Sequence, residues 1–320
     1  MTTPPPGTDV PRVLGVDVGG TTVKARLVET GPGGRALWER RVPTPRGDAD
    51  GRRTVAAVVE LVDAARDQGR LDAVGLVVPG IVDDEAGTAV ASVNLGWRDV
   101  PLRALLERAS SLPVGFGQDV RAGALAEAAT GAGAGSAGGL AFVPVGTGLA
   151  SAFVEHGGAL VSGGWAGEIG QVVLTSGPLA GLRVEDVASA GGLARRAGAE
   201  NALAVVERVR AGDPDATAAW HDLVVVLADC LTWITAVAAP TTLVVGGGLA
   251  GAGSLLFDPL GAALDERLAH SRRPALVPAV HGDGAAMVGA ALLAEQALRT
   301  AGSPAATTSP AATATAGGAA

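Results

Sequence analysis

Apolar positions change their period several times along the chain. Val13-Leu14-Gly15-Val16-Asp17 is an almost unbroken apolar run that Gly19-Gly20 stops, and Val23-Lys24-Ala25-Arg26-Leu27-Val28 then alternates as a half-buried strand should. A third strand is predicted over 36–42, after the turn Pro32-Gly33-Gly34. Three such strands form an antiparallel meander, an opening that helix-linked parallel sheets lack. Residues 52–68 place Val55, Val58, Val59, Leu61, Val62 and Ala65 at helical spacing, with Gly69 as the expected C-cap. An apolar strand over 73–78 ends at Pro79-Gly80. A helix near 102–109 and a short strand over 114–116 lead to Gln118-Asp119, which heads a helical stretch to about residue 129.

After a Gly/Ala connector over 131–139 the opening pattern returns, as strand 140–145, turn Gly146-Thr147-Gly148 and strand 149–154. Helical periodicity dominates over 186–198, 201–211 and 216–238. A strand over 242–245, glycines 246–248 and helices near 254–270 and 284–299 follow. The strand–glycine turn–strand unit thus occurs twice, near 13–28 and 140–154, and predicts a bilobal α/β protein with a cleft between two related halves. The expected lobes are 11–130 and 131–298, with the last helix free to pack back on the first lobe.

Composition narrows the partners. Hydrophobic residues make up 48% of the 320 and charged ones 18%, enough apolar material for a sizeable core. Aromatic residues are 3% with no Tyr, so the core is built from Val, Leu and Ala, and stacking platforms for bases are not expected. A net charge of −8 argues against nucleic-acid and membrane-surface partners. The single cysteine, Cys230, excludes a disulfide framework and a multi-cysteine zinc site. No basic and apolar leader opens the chain, and no stretch approaches the ~20 uninterrupted apolar residues of a spanning helix, so a soluble, cytoplasmic protein is expected. Residues 1–10 and 299–320, rich in Pro, Thr, Ala and Gly, are expected to be flexible tails.

The candidate chemistry sits at the turns. Between the first two strands, Gly19 and Gly20 let backbone N–H groups approach an anion, Thr21 and Thr22 add hydroxyl donors, and Asp17 could hold Mg²⁺ through water. A hairpin whose glycines merely satisfy a tight turn is the plainer alternative, and the segment lacks the Walker pattern. Gly146, Thr147 and Gly148 repeat the chemistry, and two such turns suit a cleft that grips phosphates from both walls. Asp119 is either a helix N-cap or a base accepting a substrate hydroxyl's proton. Glu168 stands among glycines in a loop where a sugar ring could come close. Glu185 opens the next helical run, where the dipole favours an acid. Gly246-Gly247-Gly248-Leu249-Ala250-Gly251 matches GxGxxG, but the acids that follow do not close a second strand, so a turn lying against an adenosine fits better than a dinucleotide fingerprint.

In order, Asp17-Val-Gly-Gly-Thr-Thr-Val-Lys24, Val78-Pro-Gly80, Asn94-Leu-Gly-Trp97, Asp119, Gly146-Thr-Gly148, Gly167-Glu-Ile-Gly170, Glu185-Asp-Val-Ala-Ser189, Gly246-Gly-Gly248 and Gly289-Ala-Ala resemble the ROK family of sugar kinases and related repressors over about residues 12–298. The resemblance implies an α/β, two-lobed actin-like (ribonuclease H-like) ATPase fold in which sugar and ATP meet in the cleft. It implies Asp119 as base, Gln118 in place of the family's Asn, and Glu168 and Glu185 as grips on sugar hydroxyls. Gly80 and Asn94 would line the sugar site. Gly19–Thr22 and Gly146–Gly148 would be the phosphate loops and Gly247-Gly248 the adenosine turn. ATP and Mg²⁺ would be the cofactors, and a homodimer is usual among similar proteins.

The chain departs from that pattern where Gln118 replaces Asn, where Gln171 replaces a His, and where residues 172–183 lack the Cys-rich zinc loop. No structural zinc is therefore expected, and this loop is expected to be ordered by packing alone. The implied reaction is phosphorylation of a hexose hydroxyl, glucose 6-OH first, with N-acetylated amino sugars, mannose and fructose as other acceptors and polyphosphate as another donor. A repressor would need a DNA-binding domain ahead of Asp17, where the Pro-rich opening leaves no room. A non-catalytic sugar-binding protein is suggested by Gln118 and Gln171 but opposed by the retention of Asp119 and both glycine turns.

Overall fold

The computed structural model describes residues 10–31 and 34–302; the expected tails over 1–9 and 303–320, and the turn at 32–33, lie outside the described residues. The meander forms as the alternation predicts. β1 (Arg12–Val18) is buried along nearly its whole length, β2 (Thr22–Glu29) alternates buried and half-buried, and β3 (Ala36–Pro43) is the open edge. After α1 (Arg52–Arg66), β4 (Ala73–Val78) pairs parallel with β1. A three-stranded antiparallel sheet follows that no period announced, β5 (Ile81–Asp83), β6 (Thr88–Ser92) and β7 (Trp97–Val100). Its strands are too short to show a period of two. α2 (Leu102–Ser110) then returns the chain to β8 (Val114–Gln118), parallel to β4.

α3 (Asp119–Thr130) leads to the second half, which opens with β9 (Leu140–Pro144), β10 (Ala152–Glu155) and the short β11 (Gly158–Ala159). Helices α4 (Val184–Ala188), α5 (Ala190–Arg196), α6 (Ala202–Arg210) and α7 (Pro214–Ala238) precede β12 (Thr242–Gly246), α8 (Ser254–Arg267), β13 (Ala275–Pro278) and α9 (Ala285–Gly302). The two large sheets run β3-β2-β1-β4-β8 and β11-β10-β9-β12-β13. In each half the first strand makes a hairpin with the second and a parallel pair with the fourth. The strand–turn–strand repeat thus belongs to a duplicated sheet, with each glycine turn at the same place in its half.

Some boundaries move. Gly69 is not the C-cap of α1, which is Asp67; Gly69 lies in the turn beyond, at φ 131°. Leu149 only bridges Val145, and the second hairpin strand starts at Ala152. The expected helix 186–198 is two helices, because the Ser189 hydroxyl caps α5 by accepting from the Gly192 amide at 2.9 Å. α9 continues to Gly302, so residues 299–302 are helix rather than tail. α7 is, by length and composition, apolar enough to cross a membrane, contrary to the expectation from the sequence. Here it is a core helix whose Leu223, Leu227 and Leu231 are fully buried.

α9 comes from the end of the chain yet packs on the first sheet and on α3. Glycines permit it. Gly15, Gly75 and Gly115 stand in register across β1, β4 and β8. A Cβ on them would lie 2.3 Å from the Met287 carbonyl oxygen, 1.7 Å from that of Ala290 and 2.2 Å from that of Leu293. Backbone that close leaves no room for a methyl group. Gly75→Ala is therefore expected to cost about 3 kcal/mol, read as a lower urea midpoint at unchanged m-value. Gly261→Ala, in α8 with nothing within 4 Å of the new methyl, should be neutral or stabilising by up to about 1 kcal/mol.

Candidate active site

The first glycine turn is closed by its own backbone and by one side chain the sequence reading overlooked. The Gly19 amide donates to the Thr22 carbonyl at 3.0 Å, and buried Thr44 donates from its hydroxyl to the Gly19 carbonyl at 2.7 Å. The tip, Gly20 and Thr21, stays exposed. Asn94 stands beside it, its Cβ 3.7 Å from where a Cβ of Gly20 would lie. Gly80 adopts φ 105° directly against the Ala91 carbonyl of β6, so backbone packing alone already demands glycine there. Asp17, at the carboxyl end of β1, faces Lys24 at 3.7 Å, its partner in the hairpin register. Lys24 also donates to the Asp283 carbonyl at 2.8 Å, which ties β2 to the turn before α9.

The second turn is built by close approach from the helical side. The Ala190 amide donates to the Gly146 carbonyl at 2.8 Å and the Ser189 hydroxyl to that of Thr147 at 3.1 Å. The break between α4 and α5 thus places the start of α5 on this turn. Gly167 and Gly170 bring in the loop of Glu168: a Cβ on them would lie 1.8 Å from the Ser151 carbonyl oxygen and 2.1 Å from that of Leu149. Gly247, at φ 76°, packs on Val145 in the same way. Beside Gly248 a recess of about 370 Å³ opens, lined by Ala190, Asn201, Leu203, Val206 and Arg210. A much wider groove of about 1310 Å³ runs between β8, α9 and β10 but touches none of the candidate residues. Chemistry, not volume, locates the site.

Asp119 follows β8 directly, two strands over from Asp17 and two residues beyond Gly117, the β8 residue in register with Asp17. The N-cap is Gln118, not Asp119: its Oε1 accepts from the Arg121 amide at 2.9 Å, which uses one lone pair of that oxygen and leaves the NH₂ as a donor for a ligand. Asp119 accepts from the Val120 amide at 2.8 Å. Recession from water, with the nearby Asp17 charge and more weakly Glu168, pushes the Asp119 carboxyl up to about 7. Burial lifts Asp17 to about 6 against the pull of Lys24. Burial and then Glu185 raise Glu168. Glu185 points its second oxygen at the other turn, 3.2 Å from where a Cβ of Gly148 would lie. An unbroken series of acids thus runs from the first glycine turn to the second.

Arg121 is the cation the sequence reading missed. Its side chain is 3% exposed, paired with both oxygens of Asp84 at 3.2 and 2.7 Å, and it donates to the Val82 carbonyl at 3.1 Å. It lowers the carboxyls of Asp84, Asp119 and Glu168 against their burial. Its place two residues after Asp119 was the available signal, but partners 37 and 39 residues away are not legible locally. Segment 172–183 also differs from expectation. Leu174 and Leu179 pack on the core of the second half, whereas Val172, Val173 and Leu182 are exposed, so packing orders only part of it. Backbone pairing supplies the rest: Leu174 donates to Leu182 at 2.9 Å, Gly181 to Leu174 at 2.8 Å and Val184 to Val172 at 2.8 Å. Cys230 lies elsewhere, buried in α7.

The ROK family model matches residues 13–297. The chain belongs to the ROK family. Its relatives include a glucokinase of Halalkalibacterium halodurans, 30% identical over 280 residues, spanning 77% of this chain and 83% of that protein. The crystal structure of a ROK hexokinase from Thermus thermophilus superposes with a TM-score of 0.79 at 30% identity, covering 90% of this chain and 99% of the other. A ROK family glucokinase from Streptomyces griseus, solved with glucose and AMPPNP, gives a TM-score of 0.75 at 28% identity over 89% of this chain and 99% of its own. This ROK protein thus has the two-lobed, actin-like kinase fold.

The raised carboxyls set a pH dependence. A folded-state pKa above the unfolded 3.8 means the contribution to stability is full below 3.8 and lost as pH rises through about 6 for Asp17 and about 7 for Asp119. Groups held low, such as Asp48, Asp186 and Asp283, stay ionised between pH 5 and 8 (about the window probed) and do not contribute to that slope. The ligand-free protein should therefore have a higher urea midpoint at about pH 5 than at about pH 8. Asp119→Asn should flatten the difference by raising the midpoint at the alkaline end.

Proposed function

We propose that this protein is an ATP-dependent hexose kinase whose first acceptor to test is the 6-OH of glucose. The observation that carries the reading is Asp119, a recessed carboxyl raised to about 7 at the carboxyl end of β8, with a glycine turn from each half beside its acid cluster. Phosphoryl transfer asks a protein mainly for positioning and charge stabilisation, and a base whose pKa lies near neutral suits the proton transfer. The sugar lies against Asp119, Glu168, Gln171 and Glu185, with the Gln118 NH₂, Gly80 and Asn94 around it. The backbone N–H groups of Gly19–Thr22 and Gly146–Gly148 hold the nucleotide's phosphates. The adenosine lies on Gly247 and Gly248 and fills the recess against α6, where Leu203 and Val206 supply apolar contact.

The sugar hydroxyl gives its proton to Asp119 as its oxygen bonds to the γ-phosphorus. The bond from that phosphorus to the β–γ bridging oxygen breaks, and ADP leaves. Asp17, recessed at the carboxyl end of β1, fits a hard divalent cation, which needs only one or two carboxylates when phosphates complete its shell. Bound Mg²⁺ would neutralise phosphate charge there, Asp17 holding it through water. The S. griseus glucokinase, solved with glucose and an ATP analogue, supports both substrate classes. A soluble enzyme of this kind works in the cytoplasm.

A panel of hexoses and N-acetylated amino sugars, assayed with Mg²⁺ and either ATP or polyphosphate, tests the reading through ADP or sugar-phosphate release. Silence towards every acceptor would favour a non-catalytic sugar-binding protein. Asp119→Ala is expected to lower kcat about 1000-fold or more while nucleotide affinity stays near wild type; substantial residual turnover would remove the base assignment. Leu203→Asp, on an exposed position of α6, should raise the KM for ATP about tenfold and leave the KM for sugar unchanged.

A further inference from the structure

Arg183 stands at the closing end of the 172–183 hairpin, bridging Val173 across it, with its side chain 45% exposed. Its guanidinium is spent on one cluster. Nε and Nη2 take the two oxygens of Asp186 at 3.1 and 3.0 Å, and Arg195 holds the same carboxylate at 3.3 Å from the other side. Nη1 thereby donates to Gln171 Oε1 at 3.0 Å and forms an ion pair with Glu185 Oε1 at 2.7 Å. A guanidinium is a rigid plane of donors, so anchoring one edge fixes the other. Two side chains that belong to different segments, the turn before the hairpin and the start of α4, are set relative to each other by one nitrogen.

We infer that Arg183 is the positioning residue of the acceptor site, holding Gln171 and Glu185 on a single nitrogen so that they present a matched donor and acceptor to one substrate hydroxyl or to two neighbouring ones. With Oε1 bonded to Arg183, Gln171 offers its NH₂ as the donor. With Oε1 paired to Arg183, Glu185 offers Oε2, the oxygen on the Gly148 side, as the acceptor. A hydroxyl both donates and accepts, so it satisfies this pair, whereas a hydrogen or an alkyl group at the same ring position leaves both partners unmatched. The pair therefore selects for hydroxyl-bearing carbons. This rests on the kinase reading above, in which Gln171 and Glu185 touch the sugar.

Exposed ion pairs contribute little to global stability, so the effect of removing Arg183 falls on substrate binding. In the full-length protein, Arg183→Met and Arg183→Lys should each raise the KM for the best acceptor about tenfold, with kcat within about threefold and the KM for ATP unchanged. Lysine fails because a single ammonium cannot span Asp186, Gln171 and Glu185 at once. Asp186→Asn, which keeps Arg183 but weakens its anchor, should shift the acceptor KM in the same direction by about threefold. An acceptor KM within about twofold of wild type in Arg183→Met would overturn the inference, as would acceptor KM, ATP KM and kcat changing together. If wild-type protein phosphorylates no acceptor, the kinase reading falls, and the Gln171 side-chain amide signal in NMR decides on Arg183 separately. A shifted or broadened signal in Arg183→Met would then support the positioning role, and an unchanged one would overturn it.

Discussion

Like charges crowded into a recess govern this structure. Asp17, Asp119, Glu168 and Glu185 come from four different segments, yet each lies near enough to the next for the repulsion to show in Asp119 and Glu168. Isolated carboxylates in such a place would simply stay protonated. Three cations keep the cluster usable, and each is fastened to something other than the acids it serves. Lys24 is tied to the Asp283 carbonyl, Arg121 to Asp84 and Val82, and Arg183 to Asp186. Their positions are thus set before any substrate arrives, which is what preorganised electrostatics requires.

The duplicated sheet explains how four segments reach one place. Each half sends its first hairpin turn and the ends of its parallel strands to one edge, so loops from that edge in the two halves can face each other. Close approach does the rest. Gly167 and Gly170 let the Glu168 loop rest on the backbone at 149–151, and Gly15, Gly75 and Gly115 let α9 rest on the first sheet. A helix from the end of the chain is thereby fixed to the half that carries Asp17 and Asp119. The glycine abundance of this sequence, 48 residues, serves backbone-to-backbone contact at these points as well as turns.

Legibility in the sequence followed the range of the interaction. The hairpin turns, α1, α3 and the strand ends carrying Asp17 and Asp119 were readable because strand alternation and helical spacing are local. The β5–β7 sheet was not, since strands of three to five residues show too little alternation. The Ser189 break was missed because helical spacing continues through it, although a serine that can cap was the signal. Arg121 and Arg183 carry no local signal of their roles; what distinguishes them is where Asp84, Gln171 and Glu185 stand in space. The hairpin over 172–183 fell between these cases: Leu174 and Leu179 pack on the core, but the backbone pairs that close it leave no periodic signal.

The two arginines show why burial and function need not coincide. Arg121 is nearly inaccessible, and losing it would strand Asp84, so its first effect is on the fold. Arg183 is almost half exposed, and water can replace much of what it gives to stability. Water cannot replace its geometry, because only a fork anchored at one edge holds Gln171 and Glu185 at a fixed spacing. Spacing matters more here than strength of attachment: Gln171 and Glu185 come from separate segments, and Arg183 is the side chain that contacts both. An exposed residue that keeps them together therefore acts on recognition, while the buried one beside it acts on folding.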